Sequence, residues 1–279
     1  MNDESRSTKF LKDYAPPDYL IKEVALDVRL APKGARVASR LSIEPGAGTV
    51  AGTPLVLDGE ALTLQSLALN GQELEAGRYT LSPGKLTITN PPVGPLNLDI
   101  VTLCDPEANT ELSGLYLSIA TYCTQCEPQG FLRITYFVDR PDVLATYTVR
   151  IEADRAAAPV LLSNGNLLES GEIDGTDRHY AVWYDPHPKP SYLFALVGGN
   201  LASIHDSFVT ASGREVVLGI YVEPGKEDRC DWAMESLKRA MRWDEDRFGL
   251  EYDLDLFNIV AVSDFNMGAM ENKGLNIFN

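Results

Sequence analysis

The sequence predicts a mainly β chain: an antiparallel β-sandwich or curved sheet first, then the start of an α+β unit. Three observations predict this. Short runs of apolar residues alternating with polar ones recur from Leu20 to about Gly198, the period of half-buried strands. Turn residues separate nearly all of these runs, at the spacing of sandwiches and barrels. One strong helical pattern follows, between Asp228 and Phe248. The 279 residues correspond to two domains at about 150 residues each. A hydrophobic share of 44% with 23% charged residues suits a chain that buries a core. The division expected is a polar segment over 1–19, a β-sandwich domain over 20–199 and the incomplete start of a second domain over 200–279.

Val24, Leu26, Val28 and Leu30 alternate with Ala25, Asp27 and Arg29 and open the first strand. Leu62, Leu64, Leu67 and Leu69 continue the style, and Asn70-Gly71 has the composition of a tight hairpin turn. Tyr79 and Leu81, the turn Pro83-Gly84, and Leu86 with Ile88 form a second hairpin. Leu96, Leu98 and Ile100 come next, then strands over 115–119, 134–138, 146–151, 179–184 and 192–197. After Gly198-Gly199-Asn200 the pattern changes. Strands over 205–210 and 214–222 precede the break Pro224-Gly225. The helix is expected over 228–248, with Asp228 as its cap, Asp231 in its first turn and Gly249 after its end. Ala233, Leu237, Ala240 and Met241 make its apolar stripe and, with Trp232 and Trp243, are expected in the core. Leu254 to Val262 is a nearly continuous apolar run, as in a buried strand. No internal repeat or low-complexity block interrupts these elements.

Twenty-four basic against 40 acidic residues leave a net charge of −16. That balance argues against the basic face of a nucleic-acid binder and against docking on anionic lipid. No stretch approaches the roughly 20 apolar residues of a membrane span, so neither nucleic acid nor membrane is an expected partner. Residues 1–19 lack the apolar region of a secretory signal. Cys104, Cys123, Cys126 and Cys230 therefore read as reduced thiols of a cytoplasmic protein. Cys123 and Cys126 form a C-x-x-C, but a zinc knuckle needs a second pair and a redox pair opens a helix; they read as incidental.

Gly268-Ala269-Met270-Glu271-Asn272 places a carboxylate and an amide between strand-like apolar segments. It resembles the G-A-M-E-N exopeptidase signature of zinc aminopeptidases, and residues 265–279 resemble the bacterial aminopeptidase N (alanyl aminopeptidase) form. Similar landmarks are spread along the chain. They include Tyr122-Cys123-Thr124-Gln125-Cys126-Glu127, Asp139-Arg140-Pro141-Asp142, Leu162-Ser163-Asn164-Gly165-Asn166, Lys189-Pro190-Ser191-Tyr192 and Trp243-Asp244-Glu245-Asp246-Arg247-Phe248. The resemblance implies a saddle-like amino-terminal domain followed by a thermolysin-like catalytic domain. It also implies removal of amino-terminal residues from peptides, a role in peptide catabolism.

The chemistry of the residues agrees with that implication. A free ammonium offers three donors and one charge, so it asks for about three acceptors, at least one anionic. Gln125 and Glu127 are two apart and point to one face in an extended segment; Glu271 adds a second carboxylate where the two loops converge. A unit charge pair at 4 Å is worth roughly 4 kcal/mol at an effective dielectric of about 20, before desolvation. By resemblance, Glu127 and Glu271 anchor the amine of peptide substrates and Gln125 lines the same pocket. Met267 walls the first side-chain pocket, a task suited to a flexible thioether. Gly268 and Ala269 offer backbone groups to the substrate in the manner of strand addition. Met270 belongs to the same run, and Asn272 positions Glu271.

The family binds one zinc ion through an H-E-x-x-H helix and a later glutamate. The histidines here are His179, His187 and His205, and none has a partner four residues on. The expectation is an amino-terminal fragment with no catalytic or metal-ligating residue of its own. The metal motif is expected beyond Asn279, with the remainder of the peptidase chain as partner, and the fragment alone is expected to be inactive. Two alternatives differ in class. A non-catalytic β-module or pseudoenzyme would lack the metal motif altogether. A leukotriene-hydrolase-like enzyme would carry G-G-M-E-N and a glutamine in place of Glu127.

Overall fold

The computed structural model describes residues 10–279; of the polar segment expected over 1–19, residues 1–9 lie outside the described residues. The strands are β1 (Tyr19–Arg29), β2 (Ala35–Pro45), β3 (Leu55–Asp58), β4 (Thr63–Leu69), β5 (Gln72–Glu73), β6 (Tyr79–Ser82) and β7 (Lys85–Ile88). Then come β8 (Leu96–Cys104), β9 (Gly114–Ser118), β10 (Thr121–Gln125), β11 (Leu144–Asp154), β12 (Val160–Ser163), β13 (Asn166–Glu172) and β14 (Arg178–Pro190). The last are β15 (Leu196–Gly199), β16 (Ala202–Val209), β17 (Glu215–Val222), β18 (Leu256–Ala261), β19 (Ala269–Met270) and β20 (Leu275–Phe278). A single α-helix, α1 (Asp231–Phe248), lies between β17 and β18.

The chain is mainly β, as its alternation predicts. An eight-stranded sheet runs in the order β13-β14-β11-β1-β2-β8-β4-β5, faced by a four-stranded sheet β12-β15-β10-β9 and a three-stranded sheet β3-β7-β6. Ile21, Leu41 and Tyr147 from the first sheet, Tyr116 and Val197 from the second, and Leu55 and Ile88 from the third share one core. Phe131 is at its centre, with Phe137 and Phe194 edge-on at 4.8 and 5.1 Å between ring centroids. Both predicted hairpins form. Asn70 and Gly71 take φ of 51° and 78° between β4 and β5, the left-handed pair a two-residue turn requires, and Pro83-Gly84 joins β6 to β7. The large sheet is not wholly antiparallel: β1 pairs parallel with β11, a non-local pairing that alternation cannot encode.

Three expectations about where elements lie change. Residues 134–138 are not a strand; they follow a short turn over Phe131–Arg133 and make one bridge, Phe137 with Asp58. They are largely buried, and their backbone is met outside any ladder: Ile134 and Thr135 N–H donate to Phe131 O, Phe137 exchanges bonds with Asp58, and Thr102 Oγ1 donates to Ile134 O. The strand expected over 192–197 is shifted: Ser191–Leu193 turn and β15 begins at Leu196. Asp228 does not cap the helix. It sits in a turn over Glu227–Arg229, α1 starts at Asp231, and Cys230 occupies the cap without a side-chain bond.

The five-stranded sheet β16-β17-β18-β20-β19 is mixed, with β18 parallel to both β17 and β20. One face packs on α1 through Val216, Leu218, Met234, Leu237 and Met241. The helix stripe is therefore Met234, Leu237, Met241 and Glu245; Leu237 and Met241 are buried as expected, whereas Ala233 and Ala240 are exposed, as are Trp232 (68%) and Trp243 (56%). Arg239 lies over Trp232 and Phe248 meets Trp243 edge-on. Gly249 ends the helix in the left-handed conformation, its N–H on Glu245 O. The other face of the sheet, with Val260, Met270, Leu275 and Ile277, joins the large core of the sandwich. Among the described residues, no helix is long and apolar enough to cross a membrane.

Candidate functional site

The site begins at the β9–β10 hairpin, whose residues 114–116 and 121–125 are buried. The hairpin is packed on both faces and makes a rigid platform. The strand ends at Gln125, so the alternation expected to align Gln125 with Glu127 stops there. Gln125 is buried instead, and its Oε1 accepts the Glu127 N–H at 3.1 Å. Glu127 is half-buried. The turn after it is braced by Asp139, which accepts Leu132 N–H at 3.0 Å and Ser191 Oγ–H at 2.5 Å. Burial raises the Asp139 carboxyl, against these hydrogen bonds.

The second part is the segment from Val262 to β20. Tyr116 donates its hydroxyl to Asp264 O at 2.9 Å, and Ser118 Oγ accepts Asp264 N–H at 2.9 Å. Asn266 donates to Leu112 O at 2.9 Å and accepts from Gln125 Nε2 at 3.4 Å. The Gln125–Asn266 contact is where the two loops meet. Beyond it, β19 pairs with β20 and is the outer strand of its sheet. Met267 is 36% exposed, Ala269 and Glu271 are exposed, and Met270 is buried in the core. Met270 is therefore placed apart from the expected pocket residues, facing inward.

Gly268 O accepts Asn279 N–H at 3.1 Å. By antiparallel alternation the Gly268 and Met270 backbone groups face β20, and those of Ala269 face the open edge. Of the two backbones expected to serve a substrate, Gly268 is thus engaged within the sheet. Asn272 is buried; its Nδ2 donates to Met270 O at 3.4 Å, and its Oδ1 has no partner. It holds the backbone before Glu271, not the carboxylate. Among the described residues, neither Glu127 nor Glu271 makes a side-chain hydrogen bond or ion pair. The result is two carboxylates on adjoining loops, neither paired with a cation among the described residues, beside an open strand edge.

Sequence reading missed the residues that hold this arrangement: Tyr116, Ser118, Asn266 and Asn164, whose Nδ2 donates to Lys273 O at 2.8 Å. Asn164 and Asn266 carried a signal, as parts of landmark runs.

Zinc does not fit the residues present. His179 Nε2 is 2.7 Å from Ala158 O, His205 Nε2 is 3.0 Å from Ser203 Oγ, and His187 Nε2 is 3.4 Å from Asp253 without hydrogen-bonding geometry. No three of His, Cys, Asp and Glu among the described residues are grouped to hold a metal. All four cysteines are buried and free. Burial pushes Cys104 and Cys123 up to about 12 and Cys126 well up, so these are protonated core thiols.

A groove of about 790 Å³ lies elsewhere, between α1 and the five-stranded sheet. Val222, Ala233, Leu237, Ala261 and Phe278 line it with Lys226 and Arg229, and neither Glu127 nor Glu271 takes part.

The family models of the peptidase M1 N-terminal domain and of the peptidase family M1 domain match residues 58–193 and 232–279. Aminopeptidase N of Caulobacter vibrioides is 54% identical over 269 residues, 96% of this chain and 31% of that protein. Aminopeptidase N of Escherichia coli is 50% identical over 272 residues, 97% of this chain and 30% of that protein. The crystal structure of Legionella pneumophila aminopeptidase A in complex with aspartic acid superposes with a TM-score of 0.92 at 41% identity, covering 97% of this chain and 32% of that one. The chain spans about a third of the length of the curated relatives it matches. The hairpin platform, the Gly268–Asn272 run and these matches along both parts of the chain place it in peptidase family M1.

Proposed function

We propose that the chain is the amino-terminal part of a zinc-dependent aminopeptidase, in which Glu127 and Glu271 hold the ammonium of a peptide's first residue. The observation that carries this reading is the pair of carboxylates without cations on loops joined by Gln125 and Asn266. Gln125 Oε1 keeps one lone pair after accepting the Glu127 N–H, enough to be the third acceptor an ammonium needs. Ala269 presents its N–H and C=O to the extended substrate, and Met267 walls the pocket of the first side chain. A fixed ammonium sets the distance to the scissile bond, which selects release from the end of the chain.

The division proposed is an amino-terminal domain over 20–199 and the beginning of the catalytic domain over 200–279. The zinc and its ligands belong to the remainder of the peptidase, which also covers the groove beside α1. The four reduced thiols agree with a cytoplasmic location. The test is Glu271→Ala in the full-length protein. Loss of one charge-assisted contact of roughly 1.5–3 kcal/mol is expected to lower kcat/KM on aminoacyl substrates about 10- to 150-fold. Unchanged kinetics would refute the role.

A further inference from the structure

The Leu162-Ser163-Asn164-Gly165-Asn166 run contributes nothing to the pocket surface, yet it reaches the loop of the second carboxylate. Asn164 is 1% exposed and its amide is used to capacity. Nδ2 donates to Leu193 O at 3.0 Å and to Lys273 O at 2.8 Å, while Oδ1 accepts Ala195 N–H at 2.7 Å. Reversing the amide would set its oxygen against two carbonyls, so the partners dictate its orientation. The turn that carries it is equally fixed. Gly165 has φ of 86°, and a Cβ there would stand 2.1 Å from Tyr184 O. Gly274 comes up against the same turn: a Cβ on it would be 3.4 Å from Gly165 N.

Glu271 lies between two tethered points. Before it, Asp264 and Asn266 are held by Tyr116, Ser118 and the Leu112 carbonyl. After it, Lys273 O is held by Asn164, on a different element of the sandwich. The Glu271 carboxylate makes no hydrogen bond of its own among the described residues, so its place comes from the backbone on either side. Asn164 supplies the only side-chain hydrogen bond to the backbone of residues 271–274 among the described residues.

We infer that Asn164 is a positioning residue for substrate-amine recognition, acting through the backbone of Lys273 to set the Glu271 carboxylate. The inference rests on the reading of Glu271 as an ammonium anchor. Its chemistry is separate from that of the anchor: Asn164 touches no substrate. It acts by supplying a neutral donor that an isosteric carboxylate cannot supply.

The test uses the full-length protein with Asn164→Asp, which preserves volume and the acceptor for Ala195 but opposes two carbonyls with an anionic oxygen. Misplacement of the anchor is expected to raise KM for an aminoacyl substrate about 10- to 100-fold, with kcat changed less than about threefold. A general loss of structure would lower kcat as well. In a Glu271→Ala background the same Asn164→Asp change is expected to alter KM by less than about twofold, because the group it positions is gone. Equal factors in both backgrounds, or an unchanged KM in the single variant, would overturn the inference while leaving the anchor intact. A Glu271→Ala protein with unchanged kcat/KM would overturn the anchor and the inference together. Should Asn164→Asp not fold, Asn164→Ser, which keeps one donor and removes the repulsion, carries the same comparison with a smaller expected rise in KM.

Discussion

Replacing Lys189 with methionine is expected to destabilise the amino-terminal sandwich by about 3–5 kcal/mol, the range for a buried ion pair that loses one partner. Lys189 Nζ donates to Asp185 Oδ2 at 2.9 Å, and both side chains are buried. The ammonium also lies 3.9 Å from the centre of the Tyr147 ring. Burial is the dominant influence on it, pulling Lys189 down to about 8 in spite of the adjacent carboxylate. Methionine matches the stem in length and fills the same space, so the loss comes from charge and not from a cavity. It leaves Asp185 with one hydrogen bond, from His187 N–H at 3.1 Å, and an uncompensated oxygen in the core. The assay is thermal unfolding of the full-length protein followed by near-ultraviolet circular dichroism, with an expected drop on the order of 10 °C in the transition of this region. The double variant Asp185→Asn/Lys189→Met removes both charges and is expected to recover to within about 2 kcal/mol of the parent. A single variant that loses less than about 1 kcal/mol, or a double variant no better than the single, would refute the pair as a compensated unit.

Two further outcomes follow from the same core. The Cys104 and Cys123 thiols keep their protons in the folded chain up to about 12 against an ordinary 9.0, so their contribution is whole below pH 9 and is lost as the pH climbs toward 12. A gap of that size is worth roughly 4 kcal/mol per thiol. Between pH 9 and 11 the urea midpoint should fall less steeply in Cys123→Ala than in the parent; parallel slopes would contradict the assignment. Gly165→Ala puts a Cβ 2.1 Å from a backbone oxygen at φ 86°. It is expected to cost at least about 3 kcal/mol, checked by chemical denaturation, and a loss under about 1 kcal/mol would show that the turn yields.

Local chemistry was legible in the sequence where one residue type has one physical use. Asn70-Gly71 and Gly249 are turn and cap because left-handed backbone suits them, and the structure places all three there. The helix was legible and its face in part. Leu237 and Met241 of the expected stripe are buried, while Ala233 and Ala240 are exposed and Met234 completes the covered side; small residues do not reveal which side is covered. Residues 134–138 misled for a related reason. Burial on all sides makes a segment apolar whether or not its backbone pairs. The parallel β1–β11 contact was out of reach because register between strands more than a hundred residues apart leaves no local mark. Within the site, Glu127 and Glu271 were found by their motifs. Asn164 and Ser118 were not: their importance lies in which backbone groups they meet, and those partners become neighbours only in the folded chain.

The amine-anchoring role proposed for Glu271 demands a carboxylate held to within about half an ångström, yet Glu271 is an exposed residue on a loop. The sheet resolves this through register. Met270 points into the large core and Glu271, the next residue, points out. A slip of one residue in β19 would expose the thioether and bury the carboxylate with no cation to meet it, two penalties that add. The apolar residue of the run is therefore the pin that orients the charged one, and Asn164 and Ser118 keep the pin from sliding along its strand. Met270 is thus a determinant of Glu271 geometry without contact with substrate. The proposed anchor would owe its precision to the sandwich beneath it, although Glu127 and Glu271 come from two different parts of the chain.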